Sequence, residues 1–288
     1  MDAVSDRIDV TSLAERFQER GFVLTEKLID DSALDVLREE IMRVIADKDK
    51  SDVTQPVLLS NVSPDPDNEV WQIVNIRQAS PAFETLLHNP LIAEIAAACI
   101  GAQTLRIWHD QVQYKPAKHG GVNFWHQDAP YWGSITPKDQ QISAWIALDD
   151  ADVDNGCMSM VPGSHQWGVA IDTLHAAPDF CALPAKYDGH EVAVVRCPVP
   201  AGAVHFHHSL TWHGSHANTS GRPRRAVALH FMTDKTVRAE KGAHVMDQFI
   251  DAKPGEPIQG DAFPQLWPVQ ESNRGSSPRS CLRQQVDF

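Results

Sequence analysis

The feature of this sequence that most restricts its fold is a series of short strand-like segments that begins near residue 103. Six segments follow one another within about 130 residues, and Gly, Pro, Asn and Asp occupy the turns between them. Short strands at this spacing are typical of an antiparallel barrel or sandwich, such as a double-stranded jelly roll. The six segments read TLRIWHDQVQY, VNFWHQD, ISAWIALDD, EVAVVRC, AVHFHH and RAVALHFM.

Helical periodicity, by contrast, is found before this series. Thr11 or Ser12 is a candidate cap for a first helix, which Gly21 would stop. A second helix is indicated by apolar residues at helical spacing after Ser32 and Asp35, which resemble a capping box.

A third helix is predicted through LIAEIAAACI, entered at Asn89-Pro90 and ended at Gly101. The chain contains no internal repeat and no long low-complexity linker, so we expect one domain over residues 1–288. The expected class is mainly β with flanking helices around a cupin-like jelly-roll core. Its parts are a helical N-terminal part (about 1–102), the core (about 103–235) and a C-terminal extension (236–288) with a polar, loosely ordered end.

Charge and composition exclude some partners. The net charge of −13 argues against a nucleic-acid binder, and no apolar run approaches the roughly 20 residues of a membrane helix. The acidic N-terminus has no secretory signal pattern. The five cysteines (Cys99, Cys157, Cys181, Cys197 and Cys281) lack CxxC spacing, which favours reduced thiols in a cytoplasmic protein. The sequence is compatible with a homo-oligomer.

The sharpest local feature is the triplet His126-Gln127-Asp128. Residues two apart on a strand point to the same face, so one imidazole and one carboxylate would project together. A second histidine would complete a facial set of two histidines and one carboxylate, which leaves open positions and suits iron(II). In a chain with 14 histidines, however, a chance match to the triplet is common.

A histidine-rich region downstream offers the second histidine ligand, and spacing alone does not choose among its members. The candidates are His205, His207, His208, His213, His216 and His230.

Strand alternation after Pro223 separates two neighbouring arginines. Arg224 shares a face with Ala226 and Ala228, which leave room for a ligand. Arg225 shares the other face with bulky apolar residues, as expected against a packed layer. A planar guanidinium on the first face is suited to clamp a carboxylate with two parallel hydrogen bonds.

At these residues the sequence resembles the phytanoyl-CoA dioxygenase family of iron(II)/2-oxoglutarate oxygenases. The segments that carry the resemblance are NFWHQDAPYW, DADVDNGCMSMVPGSH and WHGSHANTSGRPRRA. The resemblance implies that His126, Asp128 and His213 bind the metal. It also implies that Arg224 binds the distal carboxylate of 2-oxoglutarate.

The same resemblance implies less specific contacts to 2-oxoglutarate from Ser215, Gln113, Gln111 and Trp145. Each has an ordinary alternative, as a turn residue, a strand amide or a core aromatic. The carboxylate of Asp128 distinguishes the chain from halogenating relatives, in which a small residue leaves room for chloride.

Aromatic side chains flank the metal triplet. Trp125, Tyr131 and Trp132 are candidates for a pocket wall, although aromatics near a strand end more often pack in the core.

The function implied by the resemblance is that of an iron(II)- and 2-oxoglutarate-dependent dioxygenase. It would use O2 to hydroxylate a small-molecule metabolite and release succinate and CO2. The overall acidity makes a polyanionic CoA thioester the less attractive substrate. Two alternatives remain, a cupin-like metalloenzyme that does not use 2-oxoglutarate and a non-catalytic metal-binding sensor.

Overall fold

The computed structural model of the chain describes residues 8–63, 67, 69–118 and 120–269. The helices are α1 (Val10–Arg20), α2 (Asp31–Ala46), α3 (Pro81–Leu87), α4 (Pro90–Ile100) and α5 (Ile171–His175). The strands are β1 (Phe22–Lys27), β2 (Leu58–Asn61), β3 (Trp71–Val74), β4 (Leu105–Lys115), β5 (Asn123–His126), β6 (Ile135–Thr136), β7 (Gln141–Ala147), β8 (Met158–Met160), β9 (Lys186–Tyr187), β10 (His190–Glu191), β11 (Val195–Cys197), β12 (Ala203–His208), β13 (His213–Ser215), β14 (Arg224–Thr233), β15 (Val237–Arg238) and β16 (Gln265–Trp267). Short 3₁₀ helices cover Ile76–Gln78, Ala129–Tyr131, Ser164–Trp167 and Val245–Phe249.

Two antiparallel sheets form the body of the protein. The larger sheet has the strand order β1-β12-β7-β14-β4-β3-β2, and β16 also pairs with β4. The smaller sheet has the order β11-β8-β13-β5. This arrangement confirms the expected class, mainly β with flanking helices. None of the helices in the described part of the chain has the length and apolar character needed to cross a membrane.

Helices α1 to α4 pack on one face of the larger sheet and form the main core with it. The residues that alternate outward along β7, β12 and β14 are apolar and meet the apolar stripe of each helix. Buried members of this core include Phe17, Leu34, Ile41, Phe83, Ile95, Val112, Ile146, Phe206, Val227, Leu229 and Phe231. The opposite face of the sheet is thereby left for polar and small side chains.

All three predicted helices are present, but two begin earlier than expected. The cap of α1 is Asp9, whose carboxylate accepts from the Ser12 amide, and not Thr11 or Ser12. The cap of α2 is Asp30, not a capping box at Ser32. In both cases an aspartate slightly upstream reaches the free N–H groups of the first turn.

The boundaries of α4 agree with the sequence prediction. The side chain of Asn89 accepts hydrogen bonds from the first amides of the helix, and Pro90 stands at its first position. Gly101 ends the helix in the left-handed region at φ 68°, and Gly21 ends α1 at φ 79°.

The sequence predicts a helical part before residue 102, but the structure also contains strands there. Strands β1 to β3 lie within it, and β1 and β3 extend the larger sheet by pairing with β12 and β4. The predicted segment EVAVVRC is divided between β10 and β11. In the C-terminal extension, Gln265 pairs with Arg106, while residues 270–288 lie outside the described residues.

Alternation along β14 separates the two arginines as predicted. Arg225 points away from the smaller sheet and donates from Nε and Nη2 to the two carboxylate oxygens of Asp149, at 2.8 Å each. Arg38 lies 3.2 Å from the same carboxylate. This network fixes the start of β14, so Arg224 is directed to the opposite face with Ala226 and Ala228.

His208, the last residue of β12, is held as a neutral imidazole. Its Nδ1 accepts from the amide of Leu210 at 3.1 Å, and its Nε2 lies 3.2 Å from the carbonyl oxygen of Asp139. Burial, with a smaller effect from His165, lowers the pKa of His208 from 6.5 to about 4.

We therefore expect acid to destabilise the protein through this residue. The unfolded chain takes up a proton near pH 6.5 and the folded chain only near pH 4, so the stability that neutral His208 contributes is complete above pH 6.5 and is lost as the pH falls toward 4. Urea unfolding at several pH values gives the free energy of unfolding as a function of pH. In His208→Gln, the slope of this free energy between pH 4 and 6.5 should be smaller by about 1.4 kcal/mol per pH unit. An unchanged slope would contradict this assignment.

Candidate active site

Two histidines lie opposite each other on neighbouring strands of the smaller sheet. His126 on β5 and His213 on β13 are direct partners in the antiparallel register, with ring centroids 4.1 Å apart. The Nδ1 of each ring lies within hydrogen-bond distance of a carbonyl oxygen two residues earlier, Phe124 at 2.8 Å and Thr211 at 2.9 Å. These contacts assign the proton to Nδ1 and leave both Nε2 lone pairs free to bind a metal.

The carboxylate of Asp128 completes the group. Its Oδ1 lies 3.8 Å from Nε2 of His126 and 3.5 Å from Nε2 of His213. The three ligand atoms lie within 4.8 Å of one another, which makes this a cluster able to hold a metal ion. Among the downstream histidines of the described chain, His213 is the one that joins the cluster.

The backbone at Asp128 differs from the sequence prediction. Strand β5 ends at His126, and Asp128 adopts helical angles (φ −70°, ψ −50°) at the start of the 3₁₀ helix Ala129–Tyr131. Strand alternation therefore does not explain why the two side chains converge. The turn that follows the strand brings the carboxylate beside the imidazoles.

The second oxygen of Asp128 is held by a polar row on the larger sheet. Oδ2 lies 2.8 Å from the hydroxyl of Ser143, which donates to it, and 3.1 Å from Nε2 of His207. The Ser143 hydroxyl also contacts Nδ1 of His230 at 2.8 Å. His207, Ser143, His230 and His109 are successive register partners across β12, β7, β14 and β4. The row fixes Oδ2, so Oδ1 is the oxygen presented to the histidines.

Burial and the carboxylate set the protonation of the cluster. Burial, reinforced by His213, lowers the pKa of His126 to about 3. Burial acts to raise the pKa of Asp128, but His213 and the hydrogen bond from His207 outweigh it and hold that pKa well below its usual range. Burial likewise opposes protonation of His213, yet the Asp128 carboxylate raises its pKa. The carboxylate is thus ionised at neutral pH, as a metal ligand must be.

A pocket opens beside the cluster. It brings the three candidate ligands together with Ser215, Gln111, Gln113 and Trp145, the four residues for which the resemblance implied contacts to 2-oxoglutarate. The lining residues are Gln111, Gln113, Asn123, His126, Asp128, Trp145, Met158, His207, His213, Gly214, Ser215, Ala228 and His230.

Arg224 is not among the lining residues but lies beside one of them. Its side chain is 1% exposed, and its Cζ stands 5.5 Å from the ring centroid of Trp145, which does line the pocket. Its Nε and Nη2 are buried without a hydrogen-bond partner in the described chain. Unpaired buried donors on a cation are costly, so this guanidinium is suited to an anionic ligand.

The flanking aromatics do not form the pocket wall. Trp125 is a core residue that stacks on Phe180 and donates to its carbonyl oxygen. Trp132 is buried in a separate apolar cluster. Tyr131 alone stands near the cluster, with its half-exposed ring edge-on to His126 and its hydroxyl 2.8 Å from Nε2 of His175.

Sequence reasoning missed several polar residues around the site. Lys115 is fully buried and is the register partner of Arg224. It lies two residues beyond Gln113 on β4, so the same alternation that grouped Gln111 and Gln113 would have placed it on their face. Ser143 lies two residues before Trp145 on β7, so alternation would likewise have placed these two side chains on one face.

Comparisons with known proteins agree with this architecture. Residues 17–226 match the phytanoyl-CoA dioxygenase (PhyH) family. A Caenorhabditis elegans protein named phytanoyl-CoA dioxygenase domain-containing protein 1 homolog is 26% identical over 268 residues, which cover 78% of this chain and 92% of that protein. The peroxisomal phytanoyl-CoA dioxygenase of Bos taurus is 26% identical over 260 residues, or 83% of this chain and 72% of the relative.

A solved structure is similar over nearly its whole length. The non-heme alpha ketoglutarate dependent carbocyclase SnoK, from nogalamycin biosynthesis, superposes with a TM-score of 0.74 and is 25% identical. The match covers 91% of this chain and 98% of that protein. Together with the two antiparallel sheets, it confirms the expected jelly-roll class.

The hydrogen bond from Ser143 yields a prediction for metal binding. Ser143→Ala removes one of the two hydrogen-bond partners of Asp128 Oδ2 and leaves His207 as the other. Such losses around a metal ligand typically reduce metal affinity about 10- to 100-fold. Calorimetric titration with Mn²⁺ measures the change. Ser159→Ala is the matched control, because this buried hydroxyl lies on β8 away from Asp128. Equal affinities of Ser143→Ala and the unaltered protein would contradict the assigned role.

Proposed function

Because the chain belongs to the phytanoyl-CoA dioxygenase family, we propose that His126, Asp128 and His213 bind the iron(II) ion of this enzyme class. Family membership makes the protein a 2-oxoglutarate-dependent non-haem iron oxygenase. Its cofactors are those expected from the sequence, namely iron(II), 2-oxoglutarate and O2.

The observation that carries the ligand assignment is the common orientation of three donor atoms. Two imidazole Nε2 atoms and one carboxylate oxygen converge, and this donor set suits iron(II) with open positions on one face. The carbonyl contacts at each Nδ1 and the row at Oδ2 hold the donors in place before any metal binds. Because Oδ2 is already engaged, Asp128 is set to contribute a single oxygen and leave the remaining positions to other ligands.

Arg224 is proposed to bind the far carboxylate of 2-oxoglutarate. Its buried, unpartnered Nε and Nη2 support this role, since a carboxylate would satisfy both. Ser215 lines the pocket and contacts Lys115, the register partner of Arg224, so it offers a further hydroxyl. Gln111, Gln113 and Trp145 are proposed to contact the co-substrate, and the Trp145 ring centroid lies 5.5 Å from Cζ of Arg224.

The chemistry of oxidation is supplied by the bound iron(II), the keto acid and O2, with release of succinate and CO2. The side chains of the protein orient, charge-balance and enclose these groups. His126 and His213 remain neutral donors once their Nδ1 protons are held by carbonyl oxygens, and Asp128 supplies a negative charge.

We propose a small-molecule metabolite as the substrate and hydroxylation as the outcome. Amide and imidazole side chains line the pocket, and no Lys or Arg does so among the described residues. A polyanionic thioester would find no matching charge on that lining. Mass spectrometry of candidate substrates incubated with iron(II) and 2-oxoglutarate tests this choice, and efficient turnover of acyl-CoA thioesters alone would contradict it.

Succinate release and keto acid affinity together test the assignment of Arg224. In Arg224→Ala the Kd for 2-oxoglutarate should rise about 10- to 100-fold, because a charged hydrogen-bond donor is lost, while the Mn²⁺ affinity changes little. Calorimetry gives both constants, and a coupled assay follows succinate. Arg222→Ala, at an exposed position two residues earlier, is the matched control.

Two outcomes would favour the alternatives. Full activity without any 2-oxo acid would indicate a cupin-like metalloenzyme of another class. Metal and 2-oxoglutarate binding without succinate release would indicate a sensor that does not turn over. An unchanged Kd in Arg224→Ala would contradict the role of this residue.

A further inference from the structure

Lys115 is a buried cation with no anion beside it. The side chain is fully buried at the end of β4, and its Nζ donates to the hydroxyl of Ser215 at 2.7 Å and to the carbonyl oxygen of His216 at 2.6 Å. A third, longer contact reaches the carbonyl oxygen of Ser215 at 3.4 Å. All three acceptors are neutral, so an ammonium at this position has hydrogen bonds but no compensating negative charge.

A second buried cation lies directly alongside. Arg224 is the register partner of Lys115 in the β4–β14 pair, so the two side chains project from neighbouring strands toward the same face. Neither forms an ion pair with a carboxylate in the described part of the chain. Asp149, the carboxylate whose charge acts on Arg224, is engaged by Arg225 on the other face of the sheet. Two adjacent buried cations are unfavourable unless an anion joins them.

Burial lowers the pKa values of both Lys115 and Arg224, and the proximity of the two groups lowers that of Lys115 further. Burial, and after it the neighbouring Arg224, lowers the pKa of Lys115 well below its usual range. Burial lowers the pKa of Arg224 to about 10. A carboxylate arriving between the two side chains would favour their charged forms.

Lys115 also determines how the Ser215 hydroxyl is used. Because this oxygen accepts from Nζ of Lys115, its own proton is free to be donated, and Asn123 Oδ1 at 3.2 Å takes it in this structure. Ser215 and Asn123 both line the pocket. The same proton is available to a carboxylate that enters the pocket.

The position of Lys115 is tightly enclosed. A Cβ atom at Gly120 would approach the Cβ of Lys115 to 2.5 Å, so the glycine permits the loop to pack on this side chain. Asn218 donates to the carbonyl oxygen of Lys115 and to that of Pro116. The ammonium therefore has little freedom to turn toward solvent.

We propose that Lys115 is a positioning residue for the distal carboxylate of 2-oxoglutarate: it orients the Ser215 hydroxyl toward that carboxylate and adds a second positive charge beside Arg224. The inference rests on the proposed function. It makes the part of the pocket beside Lys115 and Arg224 selective for a dicarboxylic keto acid over a monocarboxylic one.

A comparison of two keto acids separates this role from that of a simple clamp between β4 and β13. The probes are 2-oxoglutarate and 2-oxovalerate, which has the same carbon chain but no distal carboxylate, titrated calorimetrically into Mn²⁺-loaded protein. Lys115→Met should raise the Kd for 2-oxoglutarate about 10- to 100-fold and leave that for 2-oxovalerate within about twofold. A clamp would weaken both acids equally.

Two further variants keep the test decisive. Lys138→Met is the matched control, since Lys138 also donates to carbonyl oxygens, those of Trp132 and Ile135, but neither acceptor residue lines the pocket, whereas Ser215 does. Lys115→Gln carries the same comparison should Lys115→Met fail to fold. In Lys115→Met combined with Ser215→Ala, the loss should be smaller than the product of the two single losses, because the residues act together.

The outcomes are distinguishable. Equal losses for both acids, no loss for either, or fully multiplicative losses in the double variant would overturn the inference for Lys115 alone. If the unaltered Mn²⁺-loaded protein bound neither acid, the proposed function itself would fail, and the inference with it.

Discussion

The pairing of His126 with His213 across two antiparallel strands is the contact on which the remainder of the site depends. A direct register match places the two imidazoles 4.1 Å apart, and each ring is turned by a carbonyl oxygen from its own chain segment. Neither histidine needs a metal to adopt this orientation. A shift of one residue in this register would turn one ring to the opposite face and disperse the cluster.

One face of the larger sheet stabilises the fold, and the other face carries the residues of the candidate active site. One face packs against α1 to α4 in the main apolar core, and this rigid layer fixes the strands. The other carries rows of register partners toward the pocket, among them the row that holds Asp128 and the pair formed by Lys115 and Arg224. Polar and charged groups are thus buried where a metal and a dianion can bind to them. The desolvation cost of burying these groups is therefore offset when the ligands bind.

Sequence patterns predicted the features that depend on local geometry. The limits of α4 followed from Asn89 and Gly101, and the inward face of Arg224 followed from strand alternation. Asp128 came to the predicted place by a different backbone, because a 3₁₀ turn replaces the strand after His126. The significance of Lys115 depends on which strand lies beside β4, and strand pairing between distant segments is not encoded in local periodicity. Strands β1 to β3 were missed for the same reason.

A crystal structure grown without oxygen in the presence of iron(II) and 2-oxoglutarate tests the central claim most directly. The account predicts one metal ion bound by Nε2 of His126, Oδ1 of Asp128 and Nε2 of His213. It also predicts the far carboxylate of the co-substrate against Arg224 and the Ser215 hydroxyl. A metal ion held by other side chains, or a co-substrate whose far carboxylate points away from Arg224, would contradict it.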